Sequence, residues 1–224
     1  MKRLAFVIGV SVFVAGCGSS DPSRKPETDS KPTEPTVNTL KPEIREEMTT
    51  LVRAGFYNKK RLMEILCEEM YAPGELNPTD VSAAIDEELA KYEAEKKTWP
   101  AVTDCDRLDA AFAAMNRRGI IALQNAGYTQ TDGYEDFRHA LENHPRRSTV
   151  IGYCFYHGQD LERAIHGEGL FFAFGPVDPS DEEVKGPTIG KVVREELEHA
   201  GLKVEWDGTF ATRLSVPCLV WQRR

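Results

Sequence analysis

The chain has 224 residues, of which 41% are hydrophobic and 29% charged, enough for one good core or a core plus a small helical subdomain. Its formal net charge of −8 excludes a nucleic-acid surface, which needs a basic stripe to displace counterions. No run of lysine and arginine interrupts that balance; Lys59-Lys60-Arg61 and Arg146-Arg147 read as solvated helix ends.

At the amino terminus Lys2 and Arg3 precede an apolar run of 12 residues, Leu4 to Ala15. That is a signal-peptide pattern over residues 1–16, shorter than the about 20 residues needed to span a bilayer. It ends in Val14-Ala15-Gly16-Cys17, which resembles the bacterial lipoprotein lipobox. The resemblance implies cleavage before Cys17, a diacylglyceryl group on its thiol and an acylated new amino terminus. Several acyl chains anchor a protein stably where one is marginal. The implied partner is a membrane, and the implied location is the cell envelope, facing the periplasm or the exterior. Gly18 follows instead of the aspartate that keeps many Gram-negative lipoproteins at the inner membrane, so the outer membrane is favoured in an organism that has one. Without the leader, 26 basic residues face 36 acidic ones, a mature net charge of −10. Four further cysteines, Cys67, Cys105, Cys154 and Cys218, permit three full pairings in an oxidising envelope. Cys154 and Cys218 fall in predicted core strands, either free and buried or bridged to each other.

Residues 17–42 hold five prolines and no aromatic residue, too little apolar surface to fold, and read as a disordered tether. Residues 43–100 read as a small helical subdomain of three short amphipathic helices. Ile44, Met48, Leu51 and Val52 line the first, with Gly55 as its stop. Asn58 caps the second, whose apolar face is Leu62, Ile65, Leu66 and Met70. Thr79 or Asp80 caps the third, which presents Val81, Ile85, Leu89 and Tyr92. Trp99-Pro100 marks the boundary.

Residues 101–224 read as an α+β domain, a mixed sheet of about five strands with helices packed on it. A helix from about Arg107 to Arg118, capped by Asp104 or Asp106, leads to a strand, Ile120 to Ala126. Asp132, with Glu135 three residues on, starts the next helix. Thr149 to His157 is apolar on both faces, with Ile151, Tyr153 and Phe155 on one and Val150, Cys154 and Tyr156 on the other, as in a central covered strand. Asp160 caps a short helix, and Leu170 to Phe174 is a third strand. An acidic loop, Asp178 to Lys185, precedes a helix from Ile189 to Ala200. Leu202 to Trp206 and Thr212 to Val216 alternate around Asp207-Gly208 as a closing hairpin.

Strands joined by crossover helices tend to be parallel, and ligands then collect beyond their carboxyl ends. That reasoning selects Asn125, Tyr128, Tyr134, His157, Gln159 and Asp160 as candidate ligand-binding residues. Asp160 has a structural duty as a helix cap, whereas His157 and Gln159 lie past the strand with no such evident duty. No catalytic residue is assigned. A Cys154–His157 dyad fails because residues three apart on a strand face opposite ways. His157, Asp160, His166 and Glu168 match no metal-ligand spacing, so neither metal nor cofactor is expected. His157 with Tyr128 or Tyr134 could do acid–base work, although a lone histidine beside an aromatic strand is more often structural.

The residues Asp106-Arg-Leu-Asp-Ala-Ala-Phe, Gln124-Asn-Ala-Gly-Tyr-Thr-Gln with Asp132-Gly-Tyr, Gly152-Tyr-Cys-Phe-Tyr-His-Gly-Gln-Asp160 and Trp206-Asp-Gly-Thr carry a family resemblance. Together they resemble the bacterial family known as domain of unknown function 6891, from about Ile44 to the end. The resemblance implies no activity and no catalytic residue; it places the selected loops among the family's distinctive motifs. The lipoprotein leader and tether are this chain's departure. The expectation is a non-enzymatic binding or interaction module with a small-molecule or protein partner. An enzyme with acid–base chemistry at the His157 edge is the alternative, as is an acidic inhibitor or immunity-type protein that masks a basic partner.

Overall fold

The computed structural model describes residues 40–224; the predicted leader, Cys17 and most of the tether lie outside the described residues. The first helix, α1 (Pro42–Ala54), uses Pro42 at its start and ends on Gly55 in the left-handed conformation, φ 74°, as expected of that glycine. Leu40, assigned to the tether from sequence, already packs against the helical core. Helix α2 (Lys59–Glu64) is capped by Asn58, whose side-chain oxygen accepts the Arg61 N–H at 2.9 Å, and continues as a π-helical stretch, Ile65–Met70. Helix α3 (Pro78–Lys96) starts slightly earlier than expected. Its cap is Asn77, which accepts the Thr79 N–H at 3.0 Å, and not Thr79 or Asp80. The three helices share a core of Met48, Val52, Leu62, Leu66, Val81 and Ile85, closed at one end by Tyr92.

The rest of the chain runs α4 (Asp104–Arg117), β1 (Ile120–Leu123), α5 (Gln130–Glu142), β2 (Gly152–Phe155), α6 (Gly158–Ile165), β3 (Leu170–Pro176), α7 (Glu182–His199) and β4 (Leu214–Val216). The sheet has four strands in the order β1-β2-β3-β4. Only β1 and β2 are parallel, joined by the 13-residue α5, which is long enough to cross back over the sheet. Between β2 and β3 the eight-residue α6 makes no crossover. The chain turns at Gly167 and Gly169, φ 80° and 79°, and returns antiparallel, which corrects the expected parallel run. The expected closing hairpin shrinks to β4, paired antiparallel with β3, plus one bridge between Glu205 and Ser215, so the about five strands become four. The reason is packing: Leu202, Val204 and Trp206 turn into the core beneath α7, and the edge of the Trp206 ring meets Phe174 at 5.5 Å.

Helices α4 and α7 cover one face of the sheet, over Cys154, Tyr156, Phe172, Phe174 and Leu214; α5 covers the other, over Ile121, Tyr153, Phe155 and Ala173. The two-faced burial expected of β2 holds for residues 153 to 156, whereas Ile151 precedes the strand and is 50% exposed. The outer edge of β1 is closed by Asn116. Its carboxamide accepts from the Ala122 N–H at 3.2 Å and donates to the Ala122 carbonyl at 3.3 Å, as a neighbouring strand would. Helix α7 takes in much of the predicted acidic loop and carries Pro187 in its first two turns.

Helix α7 lies close to its neighbours because of Gly190. A Cβ there would sit 2.6 Å from the Trp206 ring and 2.7 Å from Phe174. Gly190→Ala gains about 1 kcal/mol of helix propensity and loses about 1–3 kcal/mol to overpacking. The expected result in urea denaturation is net destabilisation; a higher midpoint would show that α7 can slide away from the sheet.

Candidate functional site

The carboxyl ends of β1 and β2 lie side by side, and their loops are tied together by the backbone. Ala126 donates to the Tyr156 carbonyl at 2.9 Å, Gly158 to Gly127 at 3.0 Å and Gln159 to Tyr128 at 3.2 Å. Each helix near these loops opens with a residue whose N–H is accepted by an aspartate three positions on. Thr103 pairs with Asp106, Thr129 with Asp132 and His157 with Asp160. The sequence reading took these aspartates, or Asp104, as the caps themselves. A carboxylate suits either the cap or the third helical position, so α5 begins nearer Thr129 than the Asp132 start implied, and His157, not Asp160, occupies the cap of α6.

Asp160 is the centre of a buried polar cluster. It is 1% exposed and accepts a bidentate pair of hydrogen bonds from Arg213, at 3.1 and 2.6 Å, with a further bond from the His157 N–H at 3.3 Å. The His157 ring places Nε2 3.1 Å from the same carboxylate oxygen, while Nδ1 is buried without a hydrogen-bond partner. Arg213 also donates to the Phe171 carbonyl at 3.0 Å. One carboxylate therefore joins the end of β2, the start of α6, β3 and the lead-in to β4. A buried carboxylate needs such charge-assisted partners, because an unpaired one is strongly disfavoured.

His157 is 5% exposed, not the solvent-facing residue expected beyond a strand end. The start of α6 folds back over it, so leaving the strand does not mean leaving the core. Burial lowers the imidazole's affinity for a proton, and the nearby Arg213 and Arg163 charges add to that effect against the attraction of Asp160 and of the Tyr128 backbone carbonyl. The ring is held neutral.

The other candidates take separate partners. Asn125, in a left-handed conformation at φ 52°, donates from its carboxamide to the Tyr57 hydroxyl at 2.9 Å. The Tyr128 hydroxyl donates to Glu162 at 3.2 Å. Tyr134 packs edge-on to Tyr153 and Phe155, with ring centroids 5.5 and 5.3 Å away. Gln159 is exposed. Two surface depressions lie away from these residues, one along α3 at Pro78, Thr79 and Asp86 and one between α1 and α6 at Glu46, Arg53, Ile165 and His166. The six residues are thus spread over the loop after β1 (Asn125, Tyr128), helix α5 (Tyr134) and the start of α6 (His157, Gln159, Asp160).

Sequence reasoning missed Arg213 and Gln124. The Gln124 side chain accepts from the Tyr156 hydroxyl at 3.0 Å and from Arg223 at 3.1 Å, and donates to Asp109 at 2.6 Å. A signal for Arg213 was present: alternation with the inward Leu214 puts it on the opposite sheet face, the one Phe155 and His157 share.

All four described cysteines are free, so neither the Cys154–Cys218 bridge nor another pairing forms. Cys154 is in β2 and Cys218 follows β4, with β3 between them. Burial pushes the Cys105 thiol up to about 12 and raises Cys154 further, which leaves both inert as nucleophiles. Among the described residues no group of three or more metal-ligating side chains gathers, and no helix is long and apolar enough to cross a membrane.

A family model described as a domain of unknown function matches residues 38–224. Neither a curated protein nor a solved structure matches the chain.

Proposed function

We propose a function from the premise that the chain belongs to the DUF6891 family, matched over residues 38–224: a bacterial envelope lipoprotein, anchored through Cys17, whose folded part is a non-enzymatic binding or interaction module. The observation that carries the second half is the use of the would-be reactive groups by one another. Asp160 has both oxygens engaged by Arg213, and His157 is buried against the same carboxylate. Acid–base work needs a group within reach of a substrate proton, and this pair reaches only itself. The accessible groups nearby are Gln159 in the first turn of α6 and the half-buried Tyr134 of α5, Tyr128 and Asn125, which suit recognition of a partner or a small ligand. Residues 17–39 supply the spacer between lipid and domain in this reading, and the helices α1–α3 form its helical subdomain.

Two measurements test it. Cys17→Ser is expected to leave the precursor at full length and without acyl chains, read by intact-mass spectrometry of the membrane fraction. Cleavage after Gly16 with continued membrane retention overturns the anchor. Native mass spectrometry of the protein purified from its source is expected to show either the bare chain or a retained partner or ligand that the protein leaves unaltered on incubation; a retained molecule that the protein converts replaces the module reading with the enzyme reading.

A further inference from the structure

We propose that the His157–Asp160–Arg213 cluster is an acid-sensitive latch: protonation of His157 frees the start of α6 from Arg213 and loosens the joint between α1 and the sheet. The latch does not depend on the anchor or on the identity of a partner.

His157 is the one buried histidine of five; His139, His166 and His199 are exposed and His144 is half-buried. Every charged group that faces it belongs to α6 or to the lead-in to β4. Helix α6 brings Asp160 and Arg163, the approach to β4 brings Arg213, β3 offers only the Phe171 carbonyl, and the loop after β1 offers the Tyr128 carbonyl. Glu162, also on α6, is engaged by the Tyr128 hydroxyl. With the ring neutral, one carboxylate matches the Arg213 guanidinium. A proton enters at Nδ1, since Nε2 faces the carboxylate, and creates a second cation that must share Asp160 with Arg213. The new charge also sits at the amino-terminal end of α6, where the helix dipole is positive and favours anions.

The movement this allows follows from how α6 is held. Among the described residues its one ionic tie to the sheet is Asp160; Arg163 lies over the Phe171 ring of β3, and the apolar contacts are few, with Leu161 and Ala164 in the core and Ile165 partly buried. Its far end meets α1, where Ile165 and His166 face Thr49, Thr50 and Arg53. Lifting the start of α6 therefore disturbs α1 as well.

Because burial lowers the folded-state value below 6.5, the opened state binds more protons between the two values. The latch is fully closed above that pH and weakens as pH falls through the window, by up to about tenfold in the opening equilibrium per pH unit. Once pH passes below the folded-state value, no further loss arises from this group.

Hydrogen exchange of the described domain tests this at pH 7.5 and 5.5, corrected for intrinsic exchange. In wild type, protection over residues 157–165 and around Arg213 is expected to fall, by up to about tenfold, relative to that of β2 and α4. His157→Asn, which puts a residue type favoured at helix starts in that position and cannot titrate in this range, is expected to show no such fall. Equal pH dependence in the two proteins overturns the latch. If His157→Asn does not fold, the wild-type ring titration by NMR decides. A His157 value below those of the other four histidines supports the latch, and one at or above theirs overturns it.

Discussion

Asp160→Asn lowers the stability of the domain by about 3 kcal/mol, at the low end of what breaking a buried ion pair costs. The low end applies because the two partners are unequal: the Asp160 side chain is 2% exposed, whereas that of Arg213 is 31% exposed and can be partly rehydrated. The substitution removes the negative charge between Arg213 and His157 and replaces one oxygen acceptor with a donor. The amide then faces the Arg213 guanidinium donor to donor, on the oxygen that also takes the His157 N–H or the one beside it. For a chain of this size about 3 kcal/mol corresponds to a fall in Tm of roughly 6–12 °C. Arg213→Met alone is expected to cost a similar amount, since it leaves a buried carboxylate unpaired. The double substitution is expected to cost clearly less than the sum, because neither charge is then left alone. Thermal denaturation of the four proteins is the check, and additive losses would show that the two side chains act separately.

This cluster shows where sequence reading stops. The loops after β1 and β2 were identifiable, because strand patterns ending in polar residues locate them. The partners of those loops were not. Asp160 finds Arg213 53 positions away, and Asn125 finds Tyr57 68 positions away, so only the folded topology reveals either pair. The burial of His157 was hidden for a related reason. A cap at Asp160 places His157 before the helix and in solvent; a cap at His157 places it at the helix start, beside Asp160 and Arg213. The local pattern fits both, and Arg213 decides between them.

Element type was easier to read than direction. Asn58, Gly55 and the doubly apolar β2 behave as their residue types dictate. The antiparallel return of β3 does not follow from composition, since a short helix between strands can accompany either direction. It follows from the length of α6 and the glycine turn after it. The closing hairpin failed because alternation reports which side of the chain is apolar, not whether its backbone is paired. In the stretch of Leu202, Val204 and Trp206 the apolar side is buried and the ladder is a single bridge.

Removing Trp221 to Arg224 is expected to have the largest effect of all, because these residues join α1–α3 to the sheet. The Trp221 indole donates to the Arg53 carbonyl at 3.0 Å and packs on Tyr156 and Phe56, with ring centroids 6.1 and 6.3 Å away. The Tyr92 hydroxyl donates to the Arg223 carbonyl at 2.6 Å, and the Arg223 guanidinium lies 4.2 Å from the Phe56 ring centre while bonding Asp109 and Gln124. Arg53 and Tyr92 belong to α1 and α3 and Phe56 to the loop between α1 and α2, whereas Asp109, Gln124 and Tyr156 belong to the α+β part. Trp221→Ala alone removes a half-buried indole and is expected to cost about 3 kcal/mol, near the lower bound for truncating a core aromatic. The four-residue deletion should exceed that and also divide the transition. Helices α1–α3 have a core cluster of their own, so without the tail they are expected to melt separately from the sheet. Urea unfolding followed by far-UV circular dichroism and by hydrogen exchange of α3 against β2 distinguishes the outcomes. Non-coincident transitions in the truncated protein, with a single transition in wild type, identify the tail as the joint. A single transition in both, with the midpoint little changed, would place the joint elsewhere, at the contact of α1 with α6.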